Sequence, residues 1–413
     1  MRKKIDVQAL RPGMFLDELC GSWIDHPFWK ARFVLRDEAD VQAIRTSAIT
    51  HCWIDVSKGL DVQAASVAPA VATPAPVDAR AVRSVEPVSI PLEDEINRAV
   101  AICARSRDAV LAMFQQARMG SAIDTERCLP LVEEISASIT RNPGALINLA
   151  RLKTHDDCTY MHSVAVCGLM IALARQLGMD EVATREAGVA GMLQDLGKAV
   201  MPIEILNKPG RLTPAEFAVM QTHPVRGHAM LAEGGMVSAV TLDVCLHHHE
   251  RVDGSGYPDR LSGEQISVFA KMGALCDVYD AVTSNRPYRP AWDPAVAISS
   301  LAEGAAKRQF DEAVFQAFVK TVGIYPTGSL VRLASGRLAV VVEQGRRSLV
   351  LPRVKAFFST RSQMHIPPEA IDLAAAGCKE RIVGREPNDR WQFKHLDTLW
   401  LGREIKPSKW PSS

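Results

Sequence analysis

The chain has 413 residues, enough for two or three domains with a sizeable core. Its 48 basic and 47 acidic side chains nearly cancel to a net charge of +1, which excludes a polyelectrolyte mode of attraction to nucleic acid or to an anionic membrane. Nine cysteines without Cys-x-x-Cys spacing point to a reducing compartment, and no apolar run approaches the roughly 20 residues that span a bilayer, so a cytoplasmic protein that binds no membrane is expected.

In chain order, the Met1-Arg2-Lys3-Lys4 start lacks the apolar centre of a signal peptide. Residues 1 to about 63 carry short aromatic and β-branched pieces, Phe33-Val34-Leu35 and Cys52-Trp53-Ile54-Asp55-Val56, and predict a small β-containing domain. Residues 64–91, rich in Ala, Pro, Val and Ser, predict an extended linker. From Leu92 to about Arg141 apolar residues recur at helical spacing (Ile96, Ala99, Val100, Cys103, then Val110, Met113, Phe114), which predicts connecting helices. A body of successive helices is predicted over 142–328. Beyond it, Leu330-Val331-Arg332-Leu333, Leu338-Ala339-Val340-Val341-Val342-Glu343 and Leu349-Val350-Leu351 predict short strands over 329–413, with turns at Gly336 and Gly345 and a further apolar element from Trp391 to Trp400. The fold expected is mainly α: an all-helical metal-binding core, a small N-terminal β-containing domain and a C-terminal β-rich subdomain.

The helical body carries the chemistry. His247-His248-His249-Glu250 runs into the glycine-rich Asp253-Gly254-Ser255-Gly256-Tyr257-Pro258. Neutral imidazoles bind mid-row divalent metals, and glycines let backbone amides approach a phosphate. Alone, the run also reads as a helix end followed by a turn. His162, Asp195, His223 and Asp277 stand at separated positions in helix-like segments. A lone His or Asp there is more often hydrogen-bonded structure than ligand. Several together are costly to bury unless paired or metal-bound, and they suggest a metal site. Successive helical residues point about 100° apart, so three histidines in a row cannot all converge on one ion.

The His162 segment, Gln194-Asp195-Leu196-Gly197-Lys198, Thr222-His223-Pro224, His248-His249-Glu250, Asp253 to Pro258, and Asp277-Val278-Tyr279-Asp280-Ala281-Val282-Thr283-Ser284-Asn285-Arg286-Pro287-Tyr288-Arg289 follow one another in a familiar order. Over about 150–328 the chain resembles HD-GYP domains, bacterial phosphodiesterases of the HD superfamily that degrade cyclic di-GMP. Leu10-Arg11-Pro12-Gly13-Met14-Phe15 and His26-Pro27-Phe28-Trp29 resemble the uncharacterised domain that often precedes them.

The resemblance implies two divalent metal ions, iron or manganese. His162, Asp195 and Asp277 would hold one, with Gln194 at the position of the family's name-giving His. Asp195 would bridge to a second ion held by His223, His248 and His249. Lys198 would face the scissile phosphate, and Gly256, Tyr257, Arg286 and Arg289 would contact the dinucleotide. Register with Glu250 makes His247 the odd histidine. The implied reaction is hydrolysis of cyclic di-GMP to linear pGpG, and onward to GMP as a further step. A homodimer or a signalling partner protein is compatible with this reading; a nucleic-acid polymer is not implied.

Two departures bear on activity. Gln194 offers a neutral amide oxygen, a weaker ligand than imidazole, so the first metal site should be weakened. Cys158 stands where some relatives have a third-metal Glu, with Asp157 one residue out of register, which argues against three metals and leaves Cys158 as a buried inert thiol. By themselves Arg286-Pro287-Tyr288-Arg289 also read as a helix C-terminal cap. The competing reading of the whole is a degenerate member that binds cyclic di-GMP or a partner protein without turnover.

Overall fold

The chain divides into units 1–87, which holds a small sheet, and 88–413, which holds a helical body followed in sequence by a second sheet. The structure, a computed structural model, describes residues 2–20, 33–35, 38–45, 50–60, 90, 92–120, 125–152, 158–235, 237–284, 291–345, 348–394 and 396–402. Apart from Ile90, the linker expected over 64–91 lies outside the described residues.

In the first unit, β1 (Arg2–Asp6), β2 (Phe15–Cys20), β3 (Phe33–Val34) and β4 (His51–Asp55) form an antiparallel sheet in the order β1-β4-β2-β3. Helix α1 (Glu38–Arg45) completes it, and Leu10, Met14, Leu16, Leu35, Val41, Ile44 and Ile54 are wholly buried between them.

The second unit opens with α2 (Leu92–Arg118), α3 (Leu129–Arg141) and α4 (Pro143–Ala150), all packed on α5 (Cys158–Gln176). Helix α5 is apolar all round. Residues 161–174 are buried on every face, because α2, α3, α4, α6 (Glu181–Leu193), α11 (Val268–Thr283) and α13 (Glu312–Val322) surround it. Between α6 and α11 come α7 (Ile203–Leu206), α8 (Pro214–Met220), α9 (His223–Glu233) and α10 (Ala239–His247), and α12 (Pro294–Ala306) precedes α13. No helix among the described residues is long and apolar enough to cross a membrane.

The chain then turns to β5 (Leu330–Leu333), β6 (Arg337–Glu343), β7 (Arg353–Ser359), β8 (Met364–Asp372) and β9 (Ile382–Arg385), an antiparallel sheet in the order β8-β7-β6-β5-β9. Gly336, at φ +83°, makes the β5–β6 turn that an L side chain would strain. Leu349-Val350-Leu351 is not a strand. These residues form a loop in which Ser348 Oγ accepts from Val350 N–H, the loop folds back over Gly345, and pairing begins only at Arg353. The apolar element near Trp391 is two short helices, α14 (Asn388–Trp391) and α15 (Leu396–Leu401).

One buried ion pair ties the first two helices of this unit. Glu95 on α2 has no exposed side-chain surface and accepts twice from Arg141 on α3, at 2.6 and 2.8 Å. Burial opposes its charge, but Arg141, Ser138 and Arg98 together hold its pKa below the ordinary 4.5. A carboxyl lowered on folding adds stability above its unfolded pKa and loses it as pH falls through the folded value. Glu95→Gln should therefore cost about 2 kcal/mol at neutral pH, the scale of a lost charge-assisted pair of hydrogen bonds, and progressively less as pH falls below the ordinary 4.5. Denaturant melts of both proteins across pH check this; an equal loss at both ends of the range contradicts it.

Candidate metal centre

The ligand-type side chains sit mostly where helices begin and end. Helix α6 closes at Leu193, Gln194 caps it, and Asp195 occupies the joint before a short 3-10 turn, Leu196–Val200. His223 is the first residue of α9. Helix α10 ends at His247, so His248 and His249 lie in the following turn rather than on the helix. Both imidazoles belong to one group of ligand atoms, with ring centroids 4.2 Å apart. Only His162, near the start of α5, and Asp277, in α11, project from within helices.

Glycine sets two of the approaches. A Cβ on Gly197 would lie 1.9 Å from His223 O and 2.6 Å from Gly227 N, so only glycine lets the Asp195 turn press against the start of α9. A Cβ on Gly256 would meet Arg251 N and Glu250 Cα at 2.4 Å. Gly256 is buried against its own preceding loop, and its missing side chain serves that packing. Buried Glu250 fastens the same loop by accepting from Asp259 N–H and Leu261 N–H at 2.7 and 3.1 Å.

Two groups of ligand atoms result, each within 4.8 Å of one another: Asp195, His223, His248 and His249, and His162, Asp195 and Asp277. Asp195 is common to both and has no exposed surface. Its Oδ1 faces His223 Nε2 at 3.3 Å and His248 Nε2 at 3.6 Å; its Oδ2 faces His162 Nε2 at 3.3 Å and takes a hydrogen bond from Lys198 Nζ at 2.5 Å. One carboxylate thus offers one oxygen to each group.

The tautomers follow from the remaining hydrogen bonds. His223 Nδ1 donates to Met220 O at 2.8 Å and His248 Nδ1 to Val244 O at 3.0 Å, which leaves both Nε2 atoms as bare acceptors. Those two lone pairs face each other across 3.4 Å beside Asp195 Oδ1, which has no hydrogen-bond partner. Converging buried acceptors with nothing between them repel unless a cation sits there, so the donor set fits a metal ion. Burial, then the neighbouring His248, depresses the pKa of His249 far below 6.5, and burial lowers that of His223, so both rings are neutral and ready to ligate.

The second group fits equally. Three carboxylates converge on His162: Asp277 Oδ1 at 2.9 Å and Asp195 Oδ2 at 3.3 Å on Nε2, and Asp280 Oδ2 at 2.6 Å on Nδ1. Burial would lower the His162 pKa, but these acceptors raise it to about 10, so a metal ion in this group would have to displace the Nε2 proton. Burial likewise opposes the charge on Asp195, and Lys198, followed by His162, nevertheless holds it well below 3.8. Asp280, which sequence reasoning left without a role, takes the Nδ1 proton and directs His162 Nε2 at the group. The only sign of it was the three-residue spacing from Asp277 on one helical face.

Other expected residues divide. Gln194 is fully buried, and neither atom of its amide has a hydrogen-bond partner, an orphan beside the ligands that fits a weak neutral donor. Tyr257 stacks on His249, with centroids 4.7 Å apart and planes at 21°. His247 turns away, its nitrogens on Asp243 at 2.7 Å and Asp259 at 3.1 Å. Arg286, Arg289, Asp157 and the Cys158 side chain lie outside the described residues.

Comparison with known proteins gives a consistent picture. The HD domain family matches residues 136–314, and a domain of unknown function, DUF3391, matches residues 2–128. The chain is 55% identical to a cyclic di-GMP phosphodiesterase of Pseudomonas aeruginosa, over 97% of this chain and 96% of that one. It is 37% identical to a cyclic di-GMP phosphodiesterase response regulator of Xanthomonas campestris pv. campestris, over 45% of this chain and 51% of that one. A 3'3'-cGAMP-specific phosphodiesterase of Vibrio cholerae is 33% identical over 39% of this chain and 37% of its own.

Metal content separates ligands from bystanders. His248→Ala should lose at least one bound ion per chain by elemental analysis, whereas His247→Ala should keep the wild-type stoichiometry. Asp280→Asn replaces an acceptor by an amide that can donate to Nδ1, shifts the His162 proton to Nε2, and should weaken metal affinity about 10- to 100-fold. Equal loss in all three variants contradicts the assignment of His247 to the Asp243–Asp259 pair.

Proposed function

We propose that this chain, which belongs to the HD-domain cyclic di-GMP phosphodiesterases carrying an N-terminal DUF3391 domain, hydrolyses cyclic di-GMP to linear pGpG, with GMP as the product of a second cut. The observation that carries the reading is Asp195, a buried carboxylate with one oxygen toward His223 and His248 and the other toward His162. We assign to the two groups a pair of divalent ions, iron or manganese, as the N,O donor set allows. Ions held there supply an ionised water and neutralise the non-bridging phosphate oxygens.

The chain's own residues do the rest. Asp195 sets the spacing between the two groups. Lys198, one-fifth exposed, spends one ammonium hydrogen on Asp195 and has two left for a phosphate oxygen gaining charge in the transition state. Tyr257, held on His249 by the Gly256 packing and the Glu250 hydrogen bonds, stands beside the leaving nucleotide. Arg286 and Arg289 are assigned to the second phosphate through their planar forks. The catalytic domain is placed at 142–328, fed by the helices of 92–141, and the compartment that suits nine unpatterned cysteines is the cytoplasm.

A second reading, binding without turnover, is favoured by Gln194, whose unpartnered amide stands where an imidazole would bind more strongly. One assay separates the two. Loaded anaerobically with iron or manganese, the protein should convert cyclic di-GMP to pGpG by chromatography. Asp195→Asn should lower the rate at least about a hundredfold, and Lys198→Ala should lower kcat about a hundredfold, the scale of one lost donor to a developing charge. Tight nucleotide binding without product across both metals sinks the phosphodiesterase reading in favour of the sensor.

A further inference from the structure

The aromatic path that begins at the metal centre runs on beyond its ligands. Tyr257 covers His249 nearly in parallel, and Phe217 then meets Tyr257 edge to face, with centroids 6.4 Å apart and planes at 81°. Phe217 is 47% exposed. A single exposed apolar side chain is ordinary on a folded surface; what sets this ring apart is its contact with Tyr257, which itself covers a ligand-type imidazole.

The ring is also held in place. Helix α8 starts with a capping box between Thr213 and Glu216, and Glu216 grips Lys208 Nζ with both oxygens at 2.8 and 2.5 Å. Phe217 follows Glu216 directly, and α8 leads within a few residues to His223. The segment that delivers His223 to Asp195 therefore also sets the position of the Phe217 ring.

We propose that the exposed Phe217 ring, set edge to face against Tyr257, is an aromatic wall on which one purine of the substrate lies while its phosphodiester is at the metal centre. The inference rests on the cyclic dinucleotide reading above and adds the recognition of the base. In a nucleotide the base hangs one ribose away from the phosphate, so a stacking surface has to stand beside the ligands and outside them, which is the place Phe217 occupies. Stacking is tolerant of base identity because every base presents a π face, so the wall selects for a purine or pyrimidine ring over a bare phosphodiester rather than for guanine over adenine. Because ground state and transition state both carry the base, the wall acts on KM far more than on kcat.

The test compares cyclic di-GMP with bis(p-nitrophenyl) phosphate, whose rings are attached directly to the phosphate and lack the ribose needed to reach the wall. In Phe217→Ala, KM for cyclic di-GMP should rise about tenfold, the scale of one base on one ring, with kcat within about twofold and metal content retained. Phe217→Trp should restore KM, and Phe217→Leu, which keeps bulk without a π face, should not. Cleavage of bis(p-nitrophenyl) phosphate should follow the wild type. An equal loss on both substrates would make Phe217 a prop for Tyr257 and overturn the proposal, as would an unchanged KM for cyclic di-GMP. If the wild type binds cyclic di-GMP without cleaving it, equilibrium dialysis replaces KM with the same tenfold expectation. If it cleaves the small diester but neither binds nor cleaves cyclic di-GMP, the substrate reading itself fails and the wall fails with it.

Discussion

A carboxylate with no exposed surface, facing imidazoles on both of its oxygens, is expensive to build. Asp195 meets that cost by gathering Lys198 and three histidines from α5, α9 and the turn after α10, while Asp277 and Asp280 of α11 complete the surroundings of His162. Most of the second unit can be read as a scaffold for that convergence. Helix α5 is buried on every face so that its single early histidine is held rigidly, and Gly197 has no side chain so that α9 can bring His223 within reach.

Placing ligands at helix ends has a mechanical consequence. At the end of α10, His248 and His249 join one group of ligand atoms while His247 pairs with Asp243 and Asp259. Carbonyls near the helix ends also accept from imidazole Nδ1, Met220 O from His223 and Val244 O from His248 in addition to the His248 backbone N–H, and those bonds select the tautomer in which Nε2 is bare. Local backbone geometry thereby fixes the donor chemistry of the site.

The helical core was legible because periodic and all-round apolar runs leave few alternatives, and the ligand types stood out because polar residues rarely sit in such runs. Register with Glu250 set His247 apart in the sequence, and in the structure it pairs with Asp243 and Asp259. Two features were not legible. Leu349-Val350-Leu351 has the composition of a strand, but strands are made by partners, and the loop lies before the residues that pair. Asp280 shares a helical face with Asp277, yet its role depends on His162, 118 residues earlier in the chain, and no local pattern reports that contact.

The account stands or falls on Asp195 joining two ion positions. X-ray absorption on the iron- or manganese-loaded protein tests this directly, since a carboxylate that bridges two ions holds them about 3.5–4 Å apart. The account predicts a metal–metal scattering shell in that range, lost in Asp195→Asn. A protein that binds two ions per chain with no such shell, or that keeps the shell without the Asp195 carboxylate, would contradict it.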